Sequence, residues 1–254
     1  MGHLIPSLFF VWIAGLLLHP GLSASQTQDV NQIVQEIDQL YRSDSSYARL
    51  EMKIVTPHWE RTLKMKAWTE GMDKTFIRIT APPKEEGVAT LRIGSEMWNY
   101  LPKTNKVIKV PPSMMMSSWM GSDFTNDDLV REFTFLEDYD YEKTPIEEGD
   151  EKLIYIRFTP KENLPIVWGK VVAAVRSQDS IPVWEKYYDE NERLMRTLYF
   201  KEVETFGGRR IPSIMELVPQ NKEGHVTSIT YLELEFNPVI SEDTFSLRNL
   251  RKRH

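Results

Sequence analysis

Apolar side chains recur along this chain with two different periods. Over 28–42, Val30, Ile33, Val34, Ile37, Leu40 and Tyr41 follow helical spacing while polar residues take the outer face, which predicts an amphipathic helix packed on something apolar. From Tyr47 onward the period shortens to two. Strand-like runs recur at 49–56, 61–69, 75–80, 88–93, 153–159, 170–177, 183–189, 193–203, 211–218 and 227–236. In the second of these, Leu63, Met65 and Ala67 alternate with Lys64, Lys66 and Trp68; over 152–159, Ile154, Ile156 and Phe158 oppose Leu153, Tyr155, Arg157 and Thr159. One face of the sheet is therefore mostly apolar. Turns such as Asp189-Glu190-Asn191-Glu192 and Gly207-Gly208 separate the runs, and the pattern is an antiparallel meander without the helices that parallel crossovers require. The acidic stretch 137–151 is weakly patterned and predicts a strand and loop of undefined extent. Periodicity alone favours an ordinary filled core between a sheet and helices.

The stretch 97–129, MWNYLPKTNKVIKVPPSMMMSSWMGSDFTNDDL, stands apart through its density of Met and Trp. Met97, Asn99 and Leu101 alternate with Trp98 and Tyr100 as on a half-buried strand, and alternation leaves open which set looks inward. Pro102, Lys103, Thr104 and Asn105 form a polar turn into a second strand over 106–110, which predicts a hairpin. Pro111 and Pro112 stop it. Ser113 suits the cap of a short helix that places Met115, Met116, Trp119 and Met120 on one side and ends at Gly121. Thr125 suits the cap of a second helix, with Asp127 and Asp128 in the first turn, where the dipole favours acids, and Leu129, Val130 and Phe133 inward. Flexible thioethers and broad indole faces suit a surface that adapts to a variable apolar partner. The segment reads as an apolar lid.

The wording of this segment, YLPKTNKVIKVPP followed by SMMMSSWMGSDFTNDDL, resembles the outer-membrane lipoprotein-sorting family, the LolA-like group of bacterial periplasmic proteins, and in particular its uncharacterised branch. The similarity is strongest over about 97–130, while an opening helix followed by many strands agrees over most of the chain. The resemblance implies a mainly β fold with a few helices (α+β), a curved antiparallel half-barrel closed by helices around an apolar cavity. It implies acyl chains of lipids or lipoproteins as cargo, with an inner-membrane exporter and an outer-membrane acceptor as partners. Family likeness does not by itself establish the cargo. The expected cavity and lid residues are Met65, Met97, Trp98, Tyr100, Met115, Met116, Trp119 and Met120.

The amino terminus points to the same compartment. Residues 4–18 are dominated by apolar side chains, too short a run to span a bilayer comfortably, and Ser23, Ala24 and Ser25 follow, small residues of the kind signal peptidase accepts. This predicts a signal peptide over 1–25, cleaved near Ser25, and a soluble periplasmic domain over 26–254. The opening Met1-Gly2-His3 has no Lys or Arg, which keeps an uncleaved anchor as the alternative. There is no Cys, hence no lipidation site and no disulfide. The net charge of −6 argues against nucleic acid as the main partner. Arg248, Arg251, Lys252 and Arg253 make the end of the chain locally basic; a frayed, solvated tail is the simple reading, with contact to anionic phospholipid as the other.

Catalysis finds little support. His58, His225 and His254 are far apart and in none of the zinc-protease spacings, and no metal or cofactor is expected. Adjacent acids occur at Asp127-Asp128, Glu85-Glu86 and Glu147-Glu148, but neighbours on one element point apart, and helix capping and solvated surface account for them. Met114, Met115, Met116 and Met120 are soft ligands of the kind Cu(I) accepts, although consecutive Met residues on a helix diverge. Two binding functions lead: a carrier of acyl chains toward the outer membrane, and a lipid or peptide sensor of the envelope. Burying each methylene is worth about 0.8 kcal/mol, so a chain of roughly sixteen carbons faces a penalty on the order of 12 kcal/mol in water. Crossing the periplasm calls for a container.

Overall fold

The computed structural model describes residues 29–130, 134–145, 150–164 and 166–252; the predicted signal peptide lies outside them. Asp29 caps the opening helix α1 (Val30–Gln39) by accepting from the Asn31 backbone N–H, and Ile33, Val34 and Ile37 bury one face. Six strands follow: β1 (Ser45–Val55), β2 (Glu60–Glu70), β3 (Lys74–Ala81), β4 (Ala89–Ile93), β5 (Glu96–Leu101) and β6 (Lys106–Lys109). A linking segment then carries α2 (Asn126–Val130) and α3 (Phe135–Asp138). Seven strands complete the sheet: β7 (Tyr139–Lys143), β8 (Leu153–Pro160), β9 (Lys170–Arg176), β10 (Pro182–Tyr188), β11 (Leu194–Phe206), β12 (Arg209–Pro219) and β13 (Val226–Phe236). Each run read from alternation is present with shifted ends, and β7 lies in the stretch whose pattern was too weak to define.

Among the described residues two meanders make one 13-stranded antiparallel sheet, ordered β6-β5-β4-β3-β2-β1-β13-β12-β11-β10-β9-β8-β7. The seam is the pairing of β1 with β13. Register shifts at Arg49/Leu50, Lys64/Met65 and Tyr187/Tyr188 bend the strands, as bulges do, and the sheet is an open, curved half-barrel. Its edges are β6 and β7, so the segment that joins them must cross the sheet from one edge to the other. That requirement creates the lid.

The lid face of the sheet carries Leu50, Met52, Leu63, Met65, Ile77 and Met97, packed with Trp119. Farther along the same face, Ile33, Val34 and Ile37 of α1 lie on Ile156, Phe158 and Val171. On the opposite face Phe76, Leu91 and Tyr100 are covered by Phe245 and Leu250. Those last two come from a 3-10 turn, Glu242–Phe245, and from α4 (Leu247–Leu250). The carboxy-terminal segment is thus docked and not a frayed tail as far as Lys252. Arg78 fixes it by donating to the carbonyls of Asn249, at 2.7 Å, and Lys252. A helix of four residues holds too few apolar positions to produce a periodic signal. Arg253 lies outside the described residues.

Candidate binding cavity

The lid is built differently from the expected pair of helices. A 3-10 turn, Pro112–Met114, is followed by a tight loop closed by a bridge between Ser118 and Thr125. Met120 and Gly121 adopt left-handed backbone, with φ of 52° and 73°, and this reversal brings the Trp119 N–H to the Phe124 carbonyl at 2.8 Å. A helix over the same residues is incompatible with that reversal, so Met115, Met116, Trp119 and Met120 do not share one side. Trp119 is buried and its indole N–H donates to Thr90 Oγ1 at 3.1 Å. Met115 and Met120 are half-buried against the lid-face core, whereas Met114 and Met116 are about half exposed, at 51% and 48%. The second helix starts as expected. The Asp128 N–H donates to Thr125 Oγ1 at 3.1 Å and the Thr125 N–H to Asp128 Oδ2 at 2.8 Å, a reciprocal cap of α2.

Beneath the lid lies an apolar cavity of about 410 Å³, lined by Met52, Met65, Ile77, Trp119, Leu217 and Ile229 among others. A second lobe of about 620 Å³ opens between the end of α1 and the start of β1, with Asp38, Arg42, Ser43 and Asp44 on its rim. Leu50 and Tyr231 line both lobes. Tyr231 stacks on Tyr41 with ring centroids 5.7 Å apart, and burial pushes the Tyr231 phenol up to about 12, so this wall carries no charge.

Of the residues predicted for the site, Met65 and Trp119 line the lid-side lobe. Met97 is fully buried in the same core, which settles the parity of its strand: Met97 faces the lid, and Trp98 and Tyr100 face away. Trp98 and Tyr100 therefore pack under the carboxy-terminal segment, where the Tyr100 hydroxyl donates to Asn105 Oδ1 at 3.0 Å. Met115 and Met120 support the lid without lining either lobe, and Met116 points to the surface.

The lid is tied down at its margins by polar contacts. Arg196 of β11, at one end of the lid-side lobe, donates to both carboxylate oxygens of Asp128, at 2.9 and 2.8 Å. Its guanidinium lies over the rings of Trp168 and Tyr187, 4.4 and 4.5 Å from their centroids. Trp168 reaches that position because Gly169 lets the chain run against β10: a Cβ there would meet the Asp189 carbonyl oxygen at 2.5 Å. Burial works against the Asp128 charge, but the hydrogen bonds and charge of Arg196, with those of Thr125, hold its carboxyl below the usual range. Beside the pair, Glu185 is buried and accepts from the Tyr187 hydroxyl at 2.5 Å. Burial pushes the Glu185 carboxyl up to about 7 in spite of that bond and of Arg196. Asp38 of α1 accepts from the N–H groups of Phe135 and Leu136 at 3.1 and 3.0 Å, which caps α3. At the other margin Asp123 accepts from Thr227 Oγ1 at 2.8 Å and Lys222 Nζ at 3.2 Å, and Arg61 donates to the Met120 carbonyl.

Three solved structures share this architecture. A DUF1329 family protein from Desulfovibrio piger superposes with a TM-score of 0.76 at 24% identity, covering 87% of this chain and 97% of its own. A putative outer membrane lipoprotein-sorting protein domain from Vibrio parahaemolyticus gives 0.74 at 20%, covering 87% and 98%. A LolA superfamily protein from Nitrosomonas europaea gives 0.70 at 20%, covering 86% and 97%. No curated protein matches the sequence. A family model described only as "-like: Uncharacterized protein" matches residues 71–252. The chain belongs to that uncharacterised family, and its fold is LolA-like.

Within this LolA-like half-barrel, sequence reasoning missed Arg196, Glu185, Trp168 and Asp38. Two of them left a signal. Arg196 shares strand parity with Leu198, which lines the lid-side lobe, so a charge stands on the inward, apolar face of β11. Glu185 likewise shares parity with the cavity residue Tyr187 on β10. An isolated charge at an inward position marks a partnered site, because unpaired charge is not retained there. Asp128, read only as a helix cap, serves as cap and as counter-ion together.

Proposed function

We propose that this protein is a periplasmic carrier that holds the acyl chain of a lipid or lipoprotein in its lidded cavity during passage toward the outer membrane. It acts by binding and not by catalysis. The observation that carries this reading is an apolar cavity roofed by a segment whose margins are held by polar contacts. Apolar lining supplies affinity in proportion to the methylenes buried, about 0.8 kcal/mol each. Polar ties such as Arg196 with Asp128 can be exchanged for water, so the lid opens without unfolding the sheet beneath it. The lipoprotein-sorting description of the Vibrio parahaemolyticus domain supports the same cargo class for this fold. The working domain is 26–254, released by cleavage near Ser25, receiving cargo from an inner-membrane exporter and delivering it to an outer-membrane acceptor.

Native mass spectrometry of protein purified from cells without detergent tests the reading. Bound species whose extracted mass corresponds to acyl lipids, together with movement of labelled lipid between two vesicle populations, are expected. Binding without transfer would assign a sensor instead. Protein that carries no ligand and takes up none would overturn the proposal.

A further inference from the structure

The two lobes differ in the charge they leave uncommitted. In the lid-side lobe Arg196 and Asp128 satisfy each other through two hydrogen bonds. On the rim of the second lobe the matching is poor. Arg42 donates to the sulfur of Met72, a weak acceptor, and stands 3.9 Å from Asp38. Asp38 is already committed to the Phe135 and Leu136 N–H groups. The Asp44 side chain is exposed, and its carboxylate accepts no hydrogen bond among the described residues; only its backbone is engaged, with Asn237 and Gly71. The rim therefore presents Arg42, whose one carboxylate neighbour, Asp38, lies at 3.9 Å and is committed elsewhere, and the exposed carboxylate of Asp44. Behind it stand Leu50 and Tyr231, which also line the lid-side lobe.

We infer that the second lobe is a head-group site for a zwitterionic phospholipid, with the phosphate on Arg42, the ammonium on Asp44 and the acyl chain running past Leu50 and Tyr231 into the lid-side lobe. The inference rests on the carrier reading and adds to it the class of cargo. A guanidinium with open donors favours phosphate oxygens, through charge-assisted hydrogen bonds. A carboxylate two residues away disfavours a head that is anionic only and favours one that ends in an amine. The apolar wall between them excludes neither, because it contacts the chain.

Binding of three single-chain amphiphiles with identical acyl groups tests this: lysophosphatidylethanolamine, lysophosphatidic acid and monoacylglycerol. The wild-type protein is expected to bind lysophosphatidylethanolamine about fivefold to tenfold more tightly than monoacylglycerol. Arg42→Gln should erase that preference and leave monoacylglycerol unchanged. The fold should tolerate it, since the Arg42 side chain has only weak partners and its carbonyl still accepts from Arg209. Asp44→Asn should weaken lysophosphatidylethanolamine while leaving lysophosphatidic acid equal or tighter. Equal affinity of the wild type for all three, or an equal loss for all three in Arg42→Gln, would overturn the head-group site while the carrier stands. Failure of every amphiphile to bind would overturn both.

Discussion

Among the described residues that line the lid-side lobe, Arg196 carries the only positive charge, and two acids compete for it. Asp128 holds it from the lid; Glu185 lies beside it in the sheet and stays largely neutral below about pH 7. Asp128→Asn keeps the shape of the cap but leaves Arg196 buried without a counter-ion, and should lower stability by on the order of 3 kcal/mol in urea unfolding. Glu185 makes the stability depend on pH. Unfolded, it ionises near 4.5; folded, near 7. Between these values the native state keeps a proton that the unfolded chain has released, so the stability from neutral Glu185 is complete below the lower value and is lost as pH rises through the upper one. Glu185→Gln retains an acceptor for Tyr187 and should stabilise the protein at about pH 8 by on the order of 3 kcal/mol, with little gain near pH 4. A urea midpoint that follows the wild-type pH profile would refute this account of Glu185.

At the level of elements, the lid divides into a buried pin and an exposed surface. Trp119→Leu removes both the indole and its bond to Thr90, and should cost about 2 to 4 kcal/mol in thermal unfolding and weaken fatty-acid binding. Met116→Asp alters a half-exposed side chain and should change stability by less than about 0.5 kcal/mol with binding intact. Equal effects of the two would mean that the lid packs differently. The contrast also shows what the sequence conveys. The strands were legible because a period of two survives over many residues, and Met65 followed from it. The lid was half legible: Thr125 and Asp128 announced a helix start, but the spacing of Met115, Met116, Trp119 and Met120 fits a helix and a tight loop equally, and only Gly121 hinted at the reversal. The bond between Asp128 and Arg196 joins residues far apart in the chain, where no local pattern reports. The face of Trp98 and Tyr100 depended on the docking of α4, which is too short to foresee.

For the whole molecule, the strand order explains why there is a cavity at all. The edge strands β6 and β7 do not pair, so the sheet stays open, and the chain joining them spans the gap as a roof. The roof packs on the sheet through Trp119 and is tied by polar contacts at its margins, and an apolar cavity of about 410 Å³ remains beneath it. The most direct test is photo-crosslinking with a fatty acid that carries a diazirine near its tail, followed by peptide mapping and competition with unlabelled fatty acid. The account predicts saturable adducts located, at residue level, on Leu50, Met65, Trp119 or Ile229, all lining the lid-side lobe. Labelling confined to the exposed Met114 and Met116, or labelling that competitor does not reduce, would contradict it.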